Sequence, residues 1–148
     1  MSNPQRSIPI IKLYGTLIVS VQVDVTDHLV RELKDDIANA IQNQQVRGLI
    51  IEVSGVDIID SYIARSLRDI AHISRLMGVD TVLAGLDAAM AITLVEMGMA
   101  LGGIRTALNL ESALELFARD AESRRSDADM TLDMVLNEAT DDEHTEIG

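Results

Sequence analysis

A chain of 148 residues, 47% apolar and 2% aromatic, is long enough for one domain whose core must be Ile, Leu, Val, Ala and Met. It has nothing from which to build a base-stacking surface, and its net charge of −12 argues against nucleic acid and anionic membranes as partners. The absence of cysteine excludes disulfides, thiolate metal sites and cysteine nucleophiles. The polar start, Met1-Ser2-Asn3-Pro4-Gln5-Arg6, leads into no apolar signal region, and no apolar run reaches the ~18–20 residues of a membrane span. A soluble cytoplasmic protein is expected.

Residues 1–7 are expected to be a flexible leader and 8–120 a folded domain. Within that domain, Ile8-Pro9-Ile10-Ile11-Lys12-Leu13 reads as a first strand, with Pro9 confined to its beginning or to an edge. Tyr14-Gly15 signals a turn, and residues 16–21 form the second strand of a hairpin. Thr26 or Asp27 caps a first helix, in which Leu29, Leu33, Ile37, Ala40 and Ile41 recur at helical spacing. A buried third strand, Leu49-Ile50-Ile51-Glu52-Val53, follows Gly48. Asp60 stands where the N-cap of a second helix belongs, and Ile63, Leu67, Ile70, Ile73 and Met77 form its inward stripe, with Gly78 as stop. Residues 79–85 are a fourth strand, Asp87 caps a third helix closed by Gly98, and Gly102-Gly103 leads into a short strand at 104–107. Asn109 caps a last helix striped by Leu110, Leu114 and Phe117. The order β-β-α-β-α-β-α-β-α predicts an α/β domain with a mixed sheet, parallel after the hairpin, and helices packed on it.

The charge is uneven. Residues 121–148 carry nine acids against two bases, a composition that predicts a disordered acidic tail. One apolar cluster in it, Met130, Leu132, Met134, Val135 and Leu136, is suited to a turn or two of helix on a partner.

The chemistry-bearing candidates are few. Ser61 is expected as the first residue of the second helix, where unpaired amides and the macrodipole favour negative charge. Two roles fit a serine there, phosphate acceptor and nucleophile, and serine is also a common residue at any helix start. Asp57 and Asp60 flank it as a carboxylate pair, an arrangement more often seen in capping than in metal or acid–base work. No phosphate-cradling glycine loop and no G-x-S-x-G elbow is present. His28, His72 and His144 share no local motif with another ligand, so no metal and no cofactor is expected. The third helix, Ala88-Ala89-Met90-Ala91-Ile92-Thr93-Leu94-Val95, is apolar nearly all round. Met90, Ile92, Leu94 and Val95 are therefore candidates for a subunit interface. Arg65, Arg68, His72 and Arg75, at spacings of three, four and three, form a basic stripe on the second helix. That stripe is either a solvated face paired locally with Asp69 or a docking edge for an acidic neighbour.

Three stretches carry a resemblance: Tyr14-Gly15-Thr16-Leu17-Ile18-Val19-Ser20-Val21-Gln22-Val23-Asp24-Val25-Thr26-Asp27, then Val56-Asp57-Ile58-Ile59-Asp60-Ser61-Tyr62-Ile63-Ala64, then Ala91-Ile92-Thr93-Leu94-Val95-Glu96-Met97-Gly98. In order and spacing they resemble the STAS domain of anti-sigma-factor antagonists, and within it the RsbS-type stressosome scaffolds, over about residues 8–118. Single-domain antagonists usually read Asp-Ser-Ser-Gly-Leu at the phosphorylated serine. Tyr62-Ile63-Ala64 departs from that pattern and is similar to the stressosome branch. The resemblance implies a non-catalytic scaffold that self-associates into a large complex with RsbR-like paralogues. The complex would sequester an RsbT-like serine/threonine kinase until phosphorylation of Ser61 releases it, and a phosphatase would reset the serine. Thr93 matches a threonine phosphorylated in the larger paralogues and is a second candidate. The alternatives are a free-standing antagonist that binds an anti-sigma kinase directly, and a small enzyme using Ser61 as nucleophile. The acidic tail lies outside the resemblance.

Overall fold

The computed structural model describes residues 8–22, 25–98 and 104–146. The expectations for residues 1–7 and for Gly102-Gly103 lie outside them. In chain order the elements are β1 (Ile10–Leu13), β2 (Thr16–Ser20), α1 (Asp27–Asn43), β3 (Gly48–Glu52), α2 (Ser61–Leu76), β4 (Asp80–Ala84), α3 (Ala88–Glu96), β5 (Arg105–Ala107) and α4 (Leu110–Glu146). This is the order read from the sequence. The hairpin closes through Tyr14 and Gly15, whose φ values of +50° and +77° are both left-handed, as a two-residue turn matched to strand twist requires.

The five strands lie in the order β1-β2-β3-β4-β5. β1 is antiparallel to β2, and the others are parallel. Spatial order follows chain order, so right-handed crossovers place α1, α2 and α3 on one face of the sheet. The register agrees. Val19, Ile51 and Leu83 are aligned neighbours and join Leu33 and Ile37 of α1, Leu67 and Ile70 of α2, and Met90 and Leu94 of α3 in one buried cluster. Their neighbours Ile18, Ile50 and Val82, aligned in the same way, point to the opposite face and are buried as well.

Several details differ from the sequence reading. In α1 the buried residues are Val30, Leu33, Ile37 and Ile41, so Val30 takes the place expected of Leu29. In α2 the small residues Ala64, Ser66, Ala71 and Ser74 are buried beside Leu67 and Ile70, whereas Met77 is exposed. Small side chains let α2 approach α1 and β4 closely, and hydrophobicity alone does not reveal them.

The chain divides into two units, residues 1–114 and 115–148. The second consists of the continuation of α4. Where the sequence suggested disorder from residue 121, the structure has helix to Glu146. The segment from Leu110 to Glu146 contains no Gly or Pro and carries five Ala, five Leu and six Glu, all strong helix formers. The disorder argument rested on net charge, which measures the lack of a core and not the preference of the backbone.

Candidate functional site

The site is assembled where β3 hands over to α2. Val53 continues the strand, its amide donating to the Ala84 carbonyl at 2.9 Å, and the Val56 amide closes a turn onto the Val53 carbonyl at 3.0 Å. Val56 and Ile59 are pegged into the core. Asp57 and Ile58 between them are held outward, Ile58 being 79% exposed. The loop then meets α2 through Asp60. Its backbone is extended (φ −89°, ψ 175°), and its Oδ1 accepts from the Ile63 amide at 2.8 Å, the N-cap expected from the sequence.

Ser61 is the first residue of α2 and is exposed. Arg65, one turn on, folds back so that its Nε donates to the Ser61 carbonyl at 3.2 Å. Its guanidinium is thereby stationed at the same helix end as the serine hydroxyl. Ser61, Arg65, Asp57 and Asp60 are all exposed around the start of α2 and make one corner, in which Arg65 and the helix end are positive and the two carboxylates negative.

At the start of the loop that leads to this corner stands a group that the sequence reading missed. Glu52, at the end of β3, accepts from the Ser54 amide through Oε1 at 2.9 Å and from the Ser20 hydroxyl through Oε2 at 3.1 Å. Gln22 Nε2 donates in turn to Ser20 Oγ at 3.3 Å. Partial burial pushes the Glu52 carboxyl up, but the hydrogen bonds from the Ser54 side chain and backbone and from Ser20 outweigh it and hold the group below its ordinary value. Gly85 makes room for this clamp: with φ at +84°, a Cβ there would stand 2.9 Å from Glu52 Oε1 and 3.0 Å from the Ser54 Cβ. The signal available in the sequence was an acid closing an apolar strand. One partner, Ser54, is two residues on; the other, Ser20, comes from β2, thirty-two residues away, and only strand register brings it there.

The other candidates are sorted by exposure. Met90 and Leu94 are each 4% exposed and belong to the core, which removes them from any subunit interface. An apolar helix lying on a sheet must turn one side inward, and these two form that side. Ile92 (57%) and Val95 (77%) face outward and keep the α3 surface apolar. Thr93 is half-buried, and its hydroxyl donates to the Ala89 carbonyl at 2.9 Å, a back-bond inside the helix. On α2, Arg65 and Arg75 are exposed and Arg68 half-buried. Asp69 pairs with Lys34 of α1 at 3.7 Å, not with its arginine neighbours as the solvated-face reading expected. Among the described residues there is no group of three or more His, Asp or Glu that could hold a metal ion, and no helix long and apolar enough to cross a membrane.

A family model described as the STAS domain matches residues 7–113. The chain belongs to the STAS-domain family. Among solved structures, Moorella thermoacetica RsbS, in a serine-to-glutamate variant, is 33% identical with a TM-score of 0.71, over 78% of this chain and 97% of that one. A chain from the structure described as the molecular architecture of the stressosome, a signal integration and transduction hub, is also 33% identical. Its TM-score is 0.67, over 76% of this chain and 98% of that one. Among curated proteins, the RsbT co-antagonist protein RsbRD of Bacillus subtilis is 24% identical over 111 residues, 74% of this chain and 40% of that protein. The chain thus spans about 40% of the length of the RsbT co-antagonist proteins it matches. The STAS body is RsbS-like in structure, and its second unit, residues 115–148, lies beyond the family match.

Proposed function

We propose that this protein is a non-catalytic scaffold of a stressosome-type signalling complex, regulated by phosphorylation of Ser61. It assembles with RsbR-like STAS paralogues in the cytoplasm and retains an RsbT-like serine/threonine kinase. Phosphorylation of Ser61 by that kinase releases it, and a phosphatase restores the serine. The observation that carries this reading is the exposed Ser61 at the start of α2 with Arg65 folded back onto its carbonyl, in an RsbS-like fold.

The physics suits a switch. Phosphorylation adds about −1.5 to −2 charges at neutral pH. The α2 N-terminus and Arg65 accept that charge, while Asp57 and Asp60 repel it, so the corner changes its field with no need for the fold to change. A kinase reading this surface and losing ~3 kcal/mol of interaction would bind over a hundredfold more weakly. Thr93 is the less accessible acceptor, because it is half-buried and its hydroxyl is bonded to the Ala89 carbonyl within α3.

Incubation with the cognate kinase and ATP, followed by mass mapping, tests the assignment. Label is expected on Ser61 and absent from Ser61→Ala; equal labelling of that variant would overturn it. Ser61→Asp is expected to shed the kinase from the complex. A chain that stays a small monomer or dimer in the presence of its paralogues would replace the scaffold by a free-standing antagonist.

A further inference from the structure

From residue 122 to residue 140, α4 is exposed all round, yet its sequence is not that of a uniformly solvated helix. Ala128, Leu132, Val135 and Ala139 follow one another at steps of four, three and four, the repeat of a helix seam that meets another helix. Leu136 widens that seam, while Met130 and Met134 fall on the opposite side of the wheel. Leu132, Val135 and Leu136 are each more than half exposed. The seam is roughly 17 Å long at 1.5 Å per residue. Its branched side chains, Leu132, Val135 and Leu136, lie in the middle, with Ala128 and Ala139 at the two ends.

The edges of the seam are acidic. Asp129 and Asp133 border it on one side and Asp127 and Glu138 on the other, within a segment of nine acids and two bases. A second copy of this helix would set acid against acid in either orientation, and an anionic lipid surface would be repelled as well. The charge pattern favours one kind of occupant, a basic one.

We propose that residues 127–139 of α4 are a docking helix for a basic amphipathic helix of a partner protein. The partner lays an apolar stripe along Ala128, Leu132, Val135 and Leu136 and sets Lys or Arg side chains against the acidic edges. The pairing also stabilises α4, because a helix gains most of its stability from packing an apolar face. It uses none of the residues around Ser61 and stands independently of the phosphorylation reading.

The test is calorimetric titration of the full-length chain with a synthetic helix of leucine–lysine heptads, Leu at a and d and Lys at e and g. Saturable binding is expected, weakened roughly tenfold or more in Leu132→Ser/Val135→Ser and weakened again by added salt. Circular dichroism of that variant should retain the wild-type helix content. No saturable binding, or equal binding of a scrambled peptide of the same composition, would overturn the proposal. So would equal binding of a leucine–glutamate peptide, or dimerisation of the chain that the double substitution abolishes, which would make a second copy the occupant.

Discussion

Asp60 and Glu52 hold the two ends of the loop that presents Ser61, and each does so by a different carboxylate chemistry. Asp60 satisfies an amide of the first turn of α2. Its replacement by Ala should cost about 1 kcal/mol, read as a shift of the urea midpoint at unchanged slope. Glu52 binds the turn through Ser54 and Ser20. Its folded-state pKa is depressed, so its contribution to stability is fully present above the unfolded glutamate value of about 4.3 and is lost as the pH falls through the folded value. Urea midpoints measured across that acid range should decline in the wild type, and Glu52→Gln should flatten this part of the decline. An unchanged profile would mean that the clamp carries no linkage. At this scale the cap was legible, because a cap is a local device set by its own φ/ψ and an amide three residues on. The clamp was not, because Ser20 and Glu52 meet only through the pairing of β2 with β3.

Among the elements, α3 shows how composition underdetermines orientation. Nine residues with scarcely a polar one do not say which side faces the sheet, and the expected interface set mixed both sides. The structure separates them, and mutagenesis should do the same. Leu94→Ala, in the core cluster, should destabilise the domain by about 2–5 kcal/mol. Ile92→Asp with Val95→Asp should leave the denaturation midpoint nearly unchanged and reduce assembly with STAS paralogues, measured by sedimentation. Loss of stability instead of assembly in that surface variant would remove α3 as an interface. The contrast with α2 is instructive. There Asp60 at the start and Gly78 at φ +83° after the end announced the boundaries, and the error lay in the buried face, where Ala and Ser stand in place of large apolar side chains.

For the whole molecule, the division at residue 114 sets the last prediction. Removal of residues 121–148 should leave the STAS body folded and Ser61 phosphorylated at the wild-type rate, followed by circular dichroism and mass mapping. The same truncation should abolish binding of the basic peptide. A truncated chain that no longer folds would show that the tail is needed by the body.

What the sequence by itself determined is whatever follows from neighbours along the chain. Strand and helix order, the hairpin turn, the caps at Asp60, Asp87 and Asn109, and the placement of Ser61 at the head of a helix were all of this kind. Each rests on interactions spanning no more than a few residues, or on a period that one window displays. Tertiary structure alone decided which faces were buried, that Met90 and Leu94 were core and Ile92 and Val95 surface, and that Glu52 anchors the serine loop. These depend on which strand lies beside which and how closely a helix approaches, quantities set by the packing of the whole sheet.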